Sequence, residues 1–368
     1  MLREVKRVDG NTVVIRFAES MKIVSTVPAL SIDGTFTDIV DGVVFHTVPK
    51  SFDHCTNLVR YYTEILKHAN IERGVIFLTA VNIDKMKHVS LEGNTHVFAT
   101  IGLEPPACIE MRDISEQCLR VSTINIVVVV NQPLTVNAMT DLLRVVAEVK
   151  AIAVADAMLR CESRACGTVT DAIAILKPMS MRDEILFAGM ATEIGNRIAK
   201  AVHSIIIAEA MSGDLDTLLK RVLGYSTDEL LEIFKNALNN LELPNLPKDA
   251  VVSEAKILLT KFLRDPNVWS FIIASRELDL HGIAGTIPGL SRNEFLLDSK
   301  KILADELMGM ALATYLASSK VLFSMYWIEK LKENKALMFW KEPMFGDDIV
   351  SALLAALLTL ILDRYLEH

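Results

Sequence analysis

Apolar residues change their spacing once along the chain, near Ser226, and that change limits the architectures open to it. Before it, NTVVIRF, MKIVSTV, GVIFLTAV, THVFATIG, TINIVVVVN and TDAIAILK are alternating or continuous apolar runs rich in β-branched residues, the pattern of strands. Between them lie three segments with helical spacing: 57–70, 137–162 with Asn137 as its expected cap, and 184–211. After Ser226 no comparable strand run recurs. Ser226-Thr227-Asp228-Glu229 opens a helix in the manner of a capping box. Further helices are expected over 250–264, 267–278, 298–318 and 347–365, with a proline-punctuated loop at 242–249. Gly213 and Gly224 supply turn chemistry between the two regimes. The expected organisation is an α+β domain over 1–212, with a mixed sheet and long helices, a linker over 213–225, and an all-α helical bundle over 226–368.

A chain of 368 residues with 51% hydrophobic residues can build two cores. Its net charge of −8 argues against a broad nucleic-acid surface, which needs clustered Lys and Arg, so no nucleic-acid partner is expected. Five cysteines without a CxxC pair argue against a zinc ribbon and against a disulfide framework. With no apolar secretion core in MLREVKRVDGNTVVIRF, a cytoplasmic location is expected. Mean hydropathy of +0.34 raises the question of a membrane. IVSALLAALLTLIL (349–362) falls short of the roughly 20 residues a span needs. The longer stretch from Ile302 to Ile328 carries Asp305, Glu306 and Lys320. Buried helices are therefore expected; peripheral membrane contact and homo-oligomerisation stay open.

The segment 137–162 carries an anomaly. Lys150 shares a helical face with Leu143, Val146, Ala147, Ala153, Val154 and Ala157, whereas Glu148 lies on the polar face. A lysine on an apolar face must snorkel, pair, or lose its proton. Snorkelling or a structural ion pair is one reading; a desolvated lysine near a reacting group, where shifted pKa values occur, is the other. Asn125 and Asn131 bracket the preceding strand, either ending it or orienting a carbonyl substrate. In ACGTVTDAIAI (165–175), Gly167 allows close backbone approach, and Thr168, Thr170 and Asp171 place two hydroxyls and a carboxylate at the mouth of a strand. Cys166 is an alternative nucleophile without a histidine nearby in sequence.

Taken together these residues resemble the adenosylcobinamide amidohydrolase family. The matching pieces are Leu78-Thr79-Ala80, Asn125, Asn131, Glu148, Lys150, Gly167, Thr168, Thr170, Asp171, Gly189, Thr192 and Gly195, over about residues 10 to 210. Val169 stands where the family often has a second glycine. The resemblance implies a corrinoid substrate. The implied reaction is hydrolysis of the aminopropanol amide of adenosylcobinamide to adenosylcobyric acid. Asp171 or Glu148 would activate water, Lys150 or a threonine hydroxyl would support the oxyanion, Asn131 would orient the carbonyl, and Gly167 and Thr192 would approach the corrinoid.

In the second half, Asp298 and Asp305 are seven residues apart, Glu306 adjoins Asp305, and Gly309 follows one turn on. Asp347-Asp348 enter the last apolar helix. Acidic residues at a helix start cap it, but carboxylates on facing helices also hold hard divalent ions. With HGIAGTIPG (281–289) upstream, this half resembles α-ribazole phosphatases of the phosphatidylglycerophosphatase A-like family. The resemblance implies magnesium on Asp305, Glu306, Asp347 and Asp348, with His281 donating to the leaving oxygen and Lys300 and Lys301 near the phosphate. It also implies α-ribazole 5′-phosphate or a phosphorylated cobamide as substrate. A bifunctional hydrolase of cobamide salvage is the reading; a corrinoid carrier or regulator without turnover, and a phosphatidylglycerophosphate-type lipid phosphatase, stand as alternatives.

Overall fold

The computed structural model describes residues 2–52, 57–110, 123–240, 247–299, 301–334, 336–337 and 343–366. Cys55, Cys118, Lys300 and most of the proline-punctuated loop lie outside the described residues. The chain separates into two compact units, Met1–Ser212 and Gly213–His368.

The first unit is a mixed sheet flanked by helices. Its strands are β1 (Leu2–Arg7), β2 (Thr12–Ser25), β3 (Ala29–Ser31), β4 (Ile39–Thr47), β5 (Arg73–Thr79), β6 (Lys87–Leu91), β7 (Thr95–Ile101), β8 (Pro106–Cys108), β9 (Ile124–Val129), β10 (Ala165–Thr168) and β11 (Ala172–Pro178). Nine form one sheet in the order β3-β5-β4-β2-β11-β9-β7-β6, with β1 on β2, and β8 pairs with β10 separately. The two runs expected as separate strands, NTVVIRF and MKIVSTV, are one long β2. A register shift between Arg16 and Met21 lets its first half pair with β1 and its second half with β11.

Alternation places the core. Ile124, Ile126 and Val128 of β9 face helices α2 (Val136–Asp156) and α3 (Glu193–Ala210). Val127 and Val129 face inward, into a cluster with Phe45 and Phe77 from β4 and β5. The outer face of β4 and β5 packs on α1 (Leu58–Ala69). The sheet thus curls until its two halves meet across one apolar layer. Helix boundaries depart from expectation for local reasons. Thr135, not Asn137, caps α2 by accepting from Ala138 N at 3.1 Å, and the helix stops at Asp156, with Met158 in left-handed backbone. Helix α3 begins at Glu193 rather than 184 because Thr192 caps it, accepting from Gly195 N at 3.1 Å.

Cys108 and Cys161 are joined in a disulfide, where the sequence argues against a disulfide framework. They are 53 residues apart, and only the pairing of β8 with β10 shows that they meet. Cys166 is a free, exposed thiol whose Sγ approaches the Ala107 carbonyl at 3.6 Å.

The second unit is helical: α4 (Leu215–Leu223), α5 (Thr227–Asn239), α6 (Lys248–Phe262), α7 (Pro266–Ala284), α8 (Arg292–Leu296), α9 (Ala304–Ala317), α10 (Val321–Glu333) and α11 (Met344–Leu366). Helix α4 fills most of the stretch expected as a linker. The capping box at Ser226 and Glu229 is formed as read. Asp298 adopts left-handed backbone and the helix expected from 298 starts at Ala304, so Asp298 and Asp305 do not share a helix face. Helix α11 is the axis of this unit, touching α6, α7, α9 and α10. Among the described residues it alone is long and apolar enough to cross a membrane, which corrects the length argument made from 349–362, and 83% of its most apolar stretch is buried against protein.

Candidate functional site

In the first unit, α2 and the head of β11 bring opposite charges together. Lys150 pairs with Asp171, both side chains being nearly buried at 13% and 10% exposure. Asp171 also accepts from Ile124 N at 2.9 Å, from Thr168 N at 3.0 Å and from the Thr168 hydroxyl. Gly167 adjoins this pair because nothing larger fits. A Cβ there would lie 2.6 Å from Lys150 Nζ and closer still to Asp171 Oδ2. One turn of chain, Val169-Thr170, returns Asp171 to the backbone amide of Thr168, so the polar stretch 167–171 closes on itself around the carboxylate.

Asn125 sits beside this knot, 1% exposed, at the head of β9. Its amide nitrogen donates to the Leu78 carbonyl at 2.9 Å and to Thr100 Oγ1 at 3.2 Å. Thr123 Oγ1 lies 2.8 Å from Asn125 Oδ1 and 2.7 Å from the Thr170 carbonyl. Asn125 therefore ties the two halves of the curled sheet at the site, and its polar atoms are spent on protein. Thr123 and Thr100 were missed by sequence reasoning; only the pairing of β7 with β9 reveals them.

Three expected residues lie elsewhere. Asn131 is beyond the far end of β9 from Asn125, six residues along the chain. Glu148 is exposed and pairs with Arg144 at 2.7 Å, one helical turn away on the outer face of α2. Thr192 is consumed in capping, donating to the Gly189 carbonyl at 2.8 Å.

In the second unit a cavity of about 880 Å³ has an acidic floor and an apolar wall. Asp305 and Glu306 from α9 and Asp348 from α11 place ligand oxygens within 4.8 Å of one another. Gly309 makes this approach possible, since a Cβ there would stand 3.0 Å from the Asp348 carbonyl. Asp279 of α7 fixes the start of α11 by accepting from Phe345 N at 2.9 Å and Gly346 N at 3.0 Å. Burial pushes Asp305 up to about 7, with the neighbouring Glu306 adding to the effect. Burial likewise pushes Asp348 up to about 8 and Asp347 up to about 6, each partly offset by the Lys332 ammonium. Asp305 Oδ1 and Asp347 Oδ1 are buried without a hydrogen-bond partner. A donor set of clustered, desolvated carboxylates with orphaned oxygens fits a hard divalent cation. Asp347, expected among the ligands, instead pairs with Lys332. His281 is exposed, bonds Thr286 Oγ1 at 2.7 Å within its own C-terminal turn, and does not line the cavity. Lys301 pairs with Glu294 on the surface.

A mixed sheet carrying a buried lysine–carboxylate knot at its strand heads defines the first unit as an α+β domain with a polar site at one end of the sheet. The sequence profile of the adenosylcobinamide amidohydrolase family matches residues 2–214. The chain belongs to that family, a family of hydrolases. It is also 31% identical over 120 residues to an uncharacterized protein of Methanocaldococcus jannaschii, covering 32% of this chain and 91% of that protein. Among solved structures, the low temperature requirement C protein from Listeria monocytogenes aligns with 41% of this chain and 94% of its own. That alignment has 19% identity and a TM-score of 0.34.

Proposed function

We propose that the first unit hydrolyses the aminopropanol amide of adenosylcobinamide, giving adenosylcobyric acid and the free amine. The observation that carries this is the Lys150–Asp171–Thr168 knot, formed by residues within the span that the family profile matches. Amide hydrolysis gains from a fixed hydrogen-bond donor where the carbonyl oxygen gains negative charge. Lys150 supplies it. Asp171 already accepts four hydrogen bonds, so its part is to hold Lys150 and Thr168 in place, and Thr168 keeps oxygen lone pairs for the attacking water. Gly167 lets Lys150 and Asp171 close against the backbone. Glu148 and Asn131 drop out of this reading, being remote from the knot.

The second unit, on the same proposal, removes the 5′-phosphate from α-ribazole phosphate or from a phosphorylated cobamide. Asp305, Glu306 and Asp348 would hold magnesium, which neutralises phosphate charge and activates water. The apolar wall, with Leu322, Met325 and Tyr326, supports a substrate with a flat organic group next to its phosphate. Both substrates belong to one salvage route, which is support by association.

Mass spectrometry of products from adenosylcobinamide and from α-ribazole phosphate, each with and without magnesium, tests both halves. Adenosylcobyric acid is expected in either condition, and dephosphorylation only with the ion. Corrinoid bound and returned unchanged would instead establish a carrier. Leu296 and Tyr326, exposed on the rim, favour a second reading in which a lipid phosphate is the substrate. Turnover of phosphatidylglycerophosphate in preference to α-ribazole phosphate would establish that one.

A further inference from the structure

At the other end of the first unit's sheet from the knot, the β6–β7 hairpin gathers two imidazoles and a hydroxyl on one face. His88 and Ser90 of β6 stand opposite Phe98 and His96 of β7, so antiparallel pairing puts all four side chains on the same side of the sheet. His88 Nε2 lies 3.3 Å from His96 Nδ1, and Ser90 Oγ lies 3.1 Å from His96 Nδ1 and 3.4 Å from His88 Nε2. Both rings are held in place. His88 stacks on the buried Phe98 ring, with centroids 4.2 Å apart and planes 8° from parallel. His96 is 8% exposed, and its Nε2 meets Asn94 Oδ1 at 2.9 Å. That oxygen only accepts, so Nε2 carries the proton and Nδ1 presents a lone pair to His88 and Ser90. A ring N–H spent on a carbonyl oxygen is how metal-bound histidines are oriented.

Hydrogen bonding serves this trio poorly. The one lone pair of His96 Nδ1 is shared between two neighbours, and all three separations are at the long end of the hydrogen-bond range. The three atoms instead form a nearly equilateral triangle. A point equidistant from them lies about 1.9 Å from each, and a small step out of their plane brings that to the zinc–imidazole bond length of about 2.0–2.1 Å. Two imidazole nitrogens on a tetrahedral ion at that bond length are themselves about 3.3 Å apart. Burial lowers the pKa of both rings, which favours the neutral imidazole that binds metal. His88 and Ser90 are exposed, so an ion has a path in from solvent and room to keep water. We infer that His88 Nε2, His96 Nδ1 and Ser90 Oγ form a binding site for one divalent ion of the zinc class, with its remaining coordination open to water. Paired imidazoles select such an ion over magnesium, which takes oxygen ligands. His96 pairs with Val129, whereas Thr100, at the other end of β7, pairs with Asn125 beside the knot. The site therefore shares no residue with the amide-hydrolysing knot, and a bound ion would tie the edge strand β6 to β7.

Two measurements on the full chain decide it. Zn²⁺ titrated calorimetrically, with excess Mg²⁺ present to compete at the carboxylates of the second unit, should bind at one equivalent per chain. His88→Ala and His96→Ala should each weaken that binding at least tenfold. His203→Ala, which removes a surface ion pair with Asp156, should stay within threefold. X-ray absorption at the zinc edge, on protein loaded with one equivalent, should show two imidazole nitrogens and no sulfur. Failure of the wild type to bind Zn²⁺, or a loss below tenfold in either histidine variant, overturns the inference. So does a first shell lacking two imidazoles or containing sulfur, which would place the ion on carboxylates or cysteines. Should His96→Ala fail to fold, His88→Ala decides alone, since its ring is exposed on an edge strand. None of these readouts needs turnover, so amide and phosphate hydrolysis stand or fall separately from this site.

Discussion

Asp171 and Asp348 are both carboxylates shielded from water, and the two units treat them in opposite ways. Asp171 accepts from an ammonium, a hydroxyl and two backbone amides, so its charge is met within the protein. Asp348 stands with Asp305 and Glu306 in a cluster that the Lys332 ammonium offsets only in part, and burial raises it and Asp305 far above the ordinary carboxylate range. The first arrangement is complete and presents a fixed field to a neutral amide. The second leaves buried carboxylate oxygens unmet, which on the proposed function a divalent ion would fill. The difference shows that clustered acidic residues alone say little; what matters is whether their lone pairs are already spent.

The contrast breaks most visibly at Lys150. Lys150→Met should lower the rate of adenosylcobyric acid formation by about 10³-fold, or about 4 kcal/mol, with secondary structure retained. An unchanged rate would remove the knot from catalysis. The next largest effect sharpens the deficiency of the second unit. Its raised carboxylates keep protons in the fold that they lose when unfolded above the ordinary value of 3.8. In ion-free protein the folded state therefore binds more protons, and stability falls as pH rises through the window from about 4 to about 8. A divalent ion binds the deprotonated form, so magnesium at 100 times its Kd should add about 2.7 kcal/mol near pH 8 and much less near pH 5. Melting curves with and without chelator check this; equal gains at both pH values would contradict it. Gly167→Ala should cost about 1–3 kcal/mol by forcing Lys150 and Asp171 apart, and amide hydrolysis should fall with it. Smallest is Thr192→Ala, which removes the α3 cap at a cost of about 1 kcal/mol with turnover per folded chain unchanged. A selective loss of turnover there would return Thr192 to the site.

Much of this was legible in the sequence because periodicity and capping are local. The β-branched runs, the capping box at Ser226 and the lysine on the apolar face of α2 all follow from residues within a turn or two of one another. What escaped depended on register and direction. Asn125 and Asn131 look equivalent as brackets of one strand, yet they stand toward opposite ends of the sheet, and only one meets Thr123, Thr100 and Leu78. Glu148 is separated from Lys150 by helical phase, which the sequence shows, and it pairs with Arg144 on the outer face. In the second unit the Asp-Asp pair was read as a unit, whereas helix geometry turns its members toward different neighbours. Lys332 gave no signal at all, since a lysine in the last turn of a helix is ordinarily a surface residue meeting the helix dipole.

The bond between Cys108 and Cys161 closes a covalent ring of chain, and the ring's membership is informative. Asn125 and Lys150 lie inside it; Gly167, Thr168 and Asp171 lie outside. Cyclisation over that many residues removes freedom from the disordered chain worth about 4 kcal/mol, on an entropic account. Lys150 of the knot thus belongs to the ring, while its partners Asp171 and Thr168 follow a short stretch past Cys161.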